Sequence, residues 1–178
     1  SAISGGNLYR KSSFLLDSLN KSIFPEFISI YEDPYILQGL ASAPFDAEGL
    51  QIKPRNIIEE GILQTYLLTT YSGRKLNLPS TGHAGGVYNW KVSDSGLDHS
   101  ALLSRMGTGL LITEVMGQGV NILTGDYSRG AAGFYVENGQ IQYPVEEITI
   151  AGNLRDMFKQ MLAIDNEPDP RSSLSTGA

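Results

Sequence analysis

The chain has 178 residues, of which 41% are hydrophobic, with a formal net charge of -6 at pH 7 and no cysteine. This length and apolar fraction suffice for a buried core, and the lack of cysteine excludes disulfide bonds. The acidic balance argues against direct binding to nucleic acid, and no apolar run approaches the ~20 residues that a membrane-spanning helix needs.

The first half of the chain predicts short strands and helical turns separated by loops. Asp33-Pro34 ends the first predicted strand, and Gly61 takes the left-handed position in the turn of a predicted hairpin. The predicted elements are a short helix at 12–19, a strand at 27–31, hairpin strands at 56–59 and 62–69, and a helical turn at 72–76.

The helices predicted in the second half each have a polar residue before their first turn. Asp94 or Ser95 is predicted to cap a helix at 97–106 that Gly107 ends, and Asn153 is predicted to cap a helix at 154–162. The continuously apolar residues 110–115 predict a strand in the centre of a sheet.

The dipeptide Asn138-Gly139 gives the clearest local signal in the sequence. It joins two short apolar-aromatic segments, and a type I′ turn needs positive φ at both of its central residues. A hairpin is therefore predicted over Phe134–Tyr143, followed by a strand at 147–150.

The order of these elements lacks regular β-α alternation, which favours an α+β fold with a large, mostly antiparallel sheet and a few short helices. We predict a single domain over residues 1–164. Residues 165–178 are polar and contain proline, and we predict that they form a loose tail.

His83 is the first candidate site residue, because it lies in a glycine-flanked loop, Thr81-Gly82-His83-Ala84-Gly85-Gly86. It either contacts a peptide substrate or acts as an acid-base group, or it bonds a backbone carbonyl as an ordinary loop residue. His99, at the start of a predicted helix, is expected to be solvated. Asp46 and Glu48 are two residues apart and allow acid-base chemistry, although a solvated turn is the favoured interpretation.

A second group of candidates, Asp126, Ser128 and Arg129, precedes a glycine-rich segment. Asp126, Ser128 and His83 can be written as a catalytic triad, but capped turns and a structural ion pair explain the same residues. Gly130 and Gly133 leave room for a second backbone, so the strand over 130–136 either accepts an extended peptide at its edge or packs within its own sheet.

Ordered motifs along the chain resemble the PmbA/TldD family, the so-called modulators of DNA gyrase, and specifically its PmbA (TldE) branch. They include Ala2-Ile3-Ser4-Gly5-Gly6, Ser80-Thr81-Gly82-His83-Ala84-Gly85-Gly86, Glu114-Val115-Met116-Gly117-Gln118-Gly119-Val120 and the run from Gly125 to Val145. Family members are more than twice as long, so the resemblance implies that the chain is the C-terminal part of a longer protein.

The resemblance also implies a role in proteolysis. The metal-carrying branch binds zinc through His-Glu, three residues and a second His, with a distant Cys thiolate. Here His83 and His99 are sixteen residues apart, no Glu follows either, and Thr176 stands roughly where the thiolate would be. The resemblance therefore implies a chain without its own metal or catalytic residue, and zinc in a TldD-type partner subunit.

By the same resemblance, the pair is expected to be cytoplasmic and to cleave unstructured peptides. Unpaired sheet edges also allow the chain to form a homodimer when it is alone. His83, Asp126, Ser128, Arg129, Gly130 and Gly133 are the residues expected to contact substrate. Two other functions stay open: an independent hydrolase with a site around His83 and Asp126, and an interaction protein without substrate contact.

Overall fold

The computed structural model describes residues 1–169 and 171–178. These residues form two sheets and short helices, which confirms the α+β class and the mostly antiparallel pairing. In chain order the elements are α1 (Gly5–Tyr9), β1 (Ile30–Glu32), β2 (Arg55–Glu59), β3 (Ile62–Leu63), α2 (Thr70–Leu76), β4 (Trp90–Val92), α3 (His99–Met106), β5 (Gly109–Met116), β6 (Asp126–Glu137), β7 (Gln140–Asn153), α4 (Leu154–Lys159) and β8 (Leu174–Ser175).

The first sheet has five short strands in the order β3-β2-β1-β4-β8. All of its pairs are antiparallel except β4 with β8. Its apolar side packs against α1 and the turns that follow α1, and this forms the core of the described residues. The buried members of that core are Leu8, Phe14, Leu15, Ile23, Ile57, Ile58, Leu63, Tyr66 and Leu68.

The second sheet is antiparallel, with the long strand β6 between β5 and β7. Asn138 and Gly139 join β6 to β7 with φ values of 52° and 73°. Positive φ at both residues confirms the predicted hairpin turn. The prediction that residues 110–115 form a central strand is wrong, because β5 is an edge strand. Its apolar side chains lie partly in solvent, as the 44% exposure of Leu110 shows.

Several predicted boundaries are wrong for local reasons. Residues 12–19 form turns rather than a helix, since Lys11 and Asp17 have φ near +56°, which a right-handed helix does not allow. The strand predicted from Phe27 begins at Ile30, and the strand predicted over 62–69 ends at Leu63.

The cap of α3 also differs from the prediction. Asp98, not Asp94 or Ser95, caps the helix by accepting a hydrogen bond from the Ala101 N–H at 2.7 Å. Asn153 caps α4 as predicted, accepting from the Arg155 N–H, although α4 ends at Lys159.

Part of the predicted loose tail is tied to the fold. Leu174–Ser175 pairs with β4, and the buried Asp165 accepts hydrogen bonds from the backbone N–H groups of Glu167 and Ala178. The division of the chain at residue 164 stays a prediction. Among the described residues, no helix combines the length and apolarity needed to cross a membrane.

Candidate functional site

His83 is buried in a polar cluster instead of projecting freely from its loop. Only 2% of its side chain is exposed, and Nε2 lies 2.9 Å from the Oε2 atom of Glu32 on β1. On the other side of the ring, Nδ1 lies 2.8 Å from the hydroxyl of Thr81. Both imidazole nitrogens are therefore engaged within the chain.

Glu32 is the centre of this cluster. Its Oε1 atom accepts hydrogen bonds from the backbone N–H of Tyr88 at 2.9 Å and from the indole N–H of Trp90 at 2.8 Å. Burial by itself raises the pKa of Glu32, but the hydrogen bonds from His83, Tyr88 and Trp90 outweigh it and lower that pKa. The carboxylate is ionised at neutral pH, so the proton between the two side chains belongs to Nε2 of His83.

The Thr81 hydroxyl accommodates either charge state of the imidazole. It accepts a hydrogen bond from the Leu68 N–H at 2.7 Å and lies 3.0 Å from the carbonyl of Tyr66. When the hydroxyl donates to Nδ1, His83 is neutral. When it donates to the Tyr66 carbonyl, its oxygen accepts from a protonated Nδ1.

His83 also lines a cleft of about 390 Å³ at the junction of α1 and α2. The two helices approach closely because Gly5 has no side chain, and a Cβ atom there would lie 2.2 Å from the Ser72 hydroxyl. The cleft is lined by Ser4, Gly5, Gly6, Tyr9, Arg10, Leu67, Thr69, Tyr71, Ser72, His83, Gly86 and Val87. It is open to solvent on the side of Arg10 and Tyr71, which are both exposed.

The carboxylates Asp46 and Glu48 hold loops in place. Asp46 accepts from the backbone N–H groups of Glu48, Leu50 and Ala84 at 2.9, 2.9 and 3.1 Å. Glu48 accepts from the Thr70 N–H at 2.8 Å. The two side chains face different partners, so the geometry favours the structural interpretation over paired acid-base chemistry.

Asp126, Ser128 and Arg129 close a loop against the second sheet. The Arg129 guanidinium donates to the carbonyl of Gly117, and the Ser128 N–H donates to the carbonyl of Gly119 at 2.8 Å. The pKa of Asp126 is lowered mainly by the hydrogen bond from the Thr124 hydroxyl and to a smaller extent by the one from the Asn153 amide. Asp126 and Ser128 border a shallow groove of about 270 Å³.

Gly130 and Gly133 lie inside β6, with a partner strand on each side. Gly133 pairs with Ile112 of β5 and with Val145 of β7, and a Cβ atom there would lie 2.0 Å from the Leu111 carbonyl oxygen. The strand edge that the sequence suggested for peptide binding is therefore occupied by the chain's own strands. The glycine serves close packing within the sheet, although substrate contact by these residues stays a prediction.

The structure does not assemble the triad written from the sequence. His83 belongs to the loop before β4, whereas Asp126 and Ser128 lie on β6 of the other sheet. Each imidazole nitrogen of His83 already has a partner, so neither is available as a base for the Ser128 hydroxyl.

His99 is only partly solvated, contrary to the prediction. Its Nδ1 atom lies 3.2 Å from Asp165, whose side chain is 2% exposed. Burial raises the pKa of Asp165, but hydrogen bonds from Ala178, Glu167 and His99 outweigh it and lower that pKa. Sequence analysis missed both Glu32 and Asp165, and the only signal for Glu32 was a carboxylate at the end of an apolar strand.

The described residues do not fit a zinc site. Each of the two histidines bonds a different carboxylate, and no group of three or more His, Cys, Asp or Glu in this part of the chain is arranged to hold a metal ion.

The sequence of this chain is similar to that of known metallopeptidases. Residues 1–178 match the family described as PmbA/TldA metallopeptidase C-terminal domain. The metalloprotease PmbA homolog of Haemophilus influenzae is 63% identical, and the metalloprotease PmbA of Escherichia coli O157:H7 is 58% identical, each over 99% of this chain. The chain spans about two fifths of their length, 40% and 39% respectively.

A solved structure shares the fold. A protein described as a putative modulator of DNA gyrase from Bacteroides thetaiotaomicron superposes with a TM-score of 0.94 at 31% identity. The superposition covers 99% of this chain and 40% of that protein.

Proposed function

Because the chain belongs to the PmbA/TldD metallopeptidase family, we propose that it is a metal-free subunit of the PmbA (TldE) type. In this proposal it supports a TldD-type zinc subunit in the cleavage of unstructured peptides, in the cytoplasm. It supplies surfaces that hold the partner and contact the substrate, while the partner supplies the metal and activates water.

The engagement of both histidines carries this proposal. A zinc peptidase needs several neutral imidazole, thiolate or carboxylate ligands around one point and a base beside the metal-bound water. Here the buried His83 is hydrogen-bonded to Glu32 and Thr81. His99, which follows β4 in the sequence, is hydrogen-bonded to Asp165 instead. Neither imidazole is joined by a second one.

An independent hydrolase would need a free general base, and His83 does not supply one because both of its ring nitrogens are already hydrogen-bonded. The hypothesis of a pure interaction protein differs from our proposal only in substrate contact. Crosslinking of a peptide substrate to the assembled pair distinguishes these two, since only our proposal expects label on this chain.

Reconstitution tests the main proposal. We expect the purified chain to bind less than stoichiometric zinc and to leave an unstructured peptide intact, and the pair with a TldD-type subunit to cleave it. His83→Gln should not alter the zinc content of the chain. Zinc near one ion per chain that is lost in His83→Gln, together with cleavage by the chain alone, would overturn the proposal.

A further inference from the structure

The cleft between α1 and α2 has one arginine in its lining, in a chain whose net charge is -6, and the nearby Glu48 carboxylate is bonded to the Thr70 N–H outside that lining. None of the residues that line it is Asp or Glu, whereas Arg10 lies at its exposed side. Among the residues that the structure describes, Arg10 forms no ion pair. Its guanidinium therefore has donors available for an anionic ligand.

Two tyrosines lie between Arg10 and a second cation. The rings of Tyr9 and Tyr71 meet edge to face, with centroids 5.6 Å apart and an interplanar angle of 82°. Arg10 lies 5.6 Å from the centroid of Tyr9, and the ammonium of Lys75 lies 5.6 Å from the centroid of Tyr71. We call Arg10, Tyr9, Tyr71 and Lys75 the cation–tyrosine row.

The row combines the two features that bind an acidic peptide. Ring contact holds each cation close to an apolar surface without neutralising its charge, so it remains able to pair with a carboxylate. Tyr71 is 55% exposed and offers an aromatic face for the neighbouring side chain of such a peptide.

The cleft lining leaves room for a peptide backbone at Gly86. Gly86 has a φ of 143°, and a Cβ atom there would have no neighbour within 4 Å. The adjacent Val87 is 39% exposed and lies in the cleft lining. An extended chain can thus approach the main chain at Gly86 and the apolar side chain of Val87.

We propose that this cleft binds a carboxylate of an extended peptide, with Arg10 pairing with the carboxylate and Tyr71 and Val87 contacting the adjacent residues. This inference rests on the proposed function, because it assigns a peptide class to the substrate surface of the subunit. The carboxylate comes either from an Asp or Glu side chain or from the C-terminus of the peptide. The shared chemistry is a single anion beside an apolar residue.

Binding of fluorescent peptides to the full chain, measured by anisotropy, tests the proposal. Three peptides of equal length are compared: one with a glutamate and an amidated C-terminus, one with glutamine and a free C-terminus, and one with glutamine and an amidated C-terminus. We expect Arg10→Gln to weaken binding of at least one carboxylate peptide about tenfold, as expected for one charge-assisted hydrogen bond. Arg10→Lys should retain part of the affinity.

Arg74→Gln is the matched control, since Arg74 is an exposed arginine of α2 outside the cleft lining. It should bind every peptide as the unaltered chain does. Preference for the glutamate peptide or for the free C-terminus supports the proposal and identifies the source of the carboxylate. Equal binding of all three peptides, or equal losses in Arg10→Gln and Arg74→Gln, overturns it.

The two proposals fail in different assays. Peptide binding is measured on the chain alone, whereas cleavage is measured on the pair with a TldD-type subunit. A pair that cleaves peptides while Arg10→Gln binds them normally contradicts the cleft assignment and leaves the subunit role standing. Loss of binding in Arg10→Gln combined with a pair that cleaves nothing contradicts the subunit role only.

Discussion

At the scale of single residues, Glu32 has the most demanding environment in the chain. Its side chain is 1% exposed and accepts hydrogen bonds from His83, the Tyr88 backbone and Trp90. A buried charge of this kind is tolerated only when its oxygens have donors. The cluster joins β1, β4 and the His83 loop, and thereby fixes one wall of the cleft.

We expect Glu32→Gln to lower the free energy of unfolding by roughly 3 kcal/mol at pH 7. Both oxygens of Glu32 accept hydrogen bonds, whereas the amide of Gln has one oxygen and an NH₂ group that would face the N–H of His83 or those of Tyr88 and Trp90. Urea denaturation measures this loss. Glu26→Gln, at an exposed glutamate, should leave the stability unchanged. A loss equal to that control would show that the cluster does not stabilise the fold.

The difference in unfolding free energy between the unaltered chain and Glu32→Gln depends on pH. The pKa of Glu32 is lowered in the folded state from its ordinary value of 4.5. Its contribution is therefore complete above pH 4.5 and is lost as the pH falls through the lower folded pKa. We expect the stability difference between the unaltered chain and Glu32→Gln to be present above pH 4.5 and to shrink as the pH falls below it. A constant difference down to pH 3 would contradict this.

Gly133 shows how close packing within a sheet requires a glycine in β6. We expect Gly133→Ala to lower the free energy of unfolding by roughly 1–3 kcal/mol, since its Cβ atom would lie 2.0 Å from the Leu111 carbonyl oxygen. Gly130→Ala is the control in the same strand, because its Cβ atom would find only Met116 at 3.8 Å. The midpoints of thermal unfolding of Gly133→Ala and Gly130→Ala measure this difference. Equal midpoints would show that close packing at Gly133 does not contribute to stability.

At the scale of elements, the β6–β7 hairpin and α3 support one another. The N–H of Gly139 in the hairpin turn donates to the carbonyl of Gly107 at 2.7 Å, just after α3 ends. A Cβ atom at Gly139 would lie 2.8 Å from the Cα atom of Ser104 in α3. The turn is thus selected both by its positive φ and by the helix beside it.

These two effects can be separated with two glycines of positive φ. We expect Gly117→Ala to cost about 1 kcal/mol from backbone strain alone, because its Cβ atom would have no neighbour within 4 Å. Gly139→Ala should cost about 1–2 kcal/mol more, since it also displaces α3. Chemical denaturation gives both values, and equal costs would show that the contact with α3 carries no stability.

At the scale of the whole molecule, the second sheet exposes a large amount of apolar surface. Val115, Met116, Ile141 and Tyr143 are 42%, 45%, 50% and 55% exposed. Val115 and Met116 pair with Ala131 and Gly130 of β6, whereas Ile141 and Tyr143 pair with Val136 and Tyr135 near the other end of that strand. Exposed apolar side chains are typical of interaction surfaces, and we expect the end of the sheet that carries Ile141 and Tyr143 to contact a second copy when the chain associates.

We expect light scattering to show association of the chain at high concentration, and Ile141→Glu to weaken it about tenfold by placing a charge in the contact. Leu37→Glu is the control, because Leu37 is 91% exposed on a loop after β1. The expectation would be wrong if the chain is strictly monomeric and also fails to bind a TldD-type subunit. It would also be wrong if Leu37→Glu weakens association more than Ile141→Glu does.

Features that depend on neighbouring residues could be predicted from the sequence. The Asn138-Gly139 turn, the left-handed Gly61 and the Asn153 cap follow from backbone φ preferences and from the short reach of a capping side chain. The ordered motifs were enough to identify the family, and the interspersed elements gave the α+β class with mostly antiparallel pairing.

The contacts between distant residues could not be predicted from the sequence, because they arise from the packing of the folded chain. Glu32 and His83 are 51 positions apart, and His99 and Asp165 are 66 apart, so no local pattern joins them. The place of β6 between two partners, the edge position of β5 and the cation–tyrosine row likewise arise from chain packing. Composition and periodicity describe one segment at a time, whereas burial, pairing and charge placement depend on what the rest of the chain brings beside it.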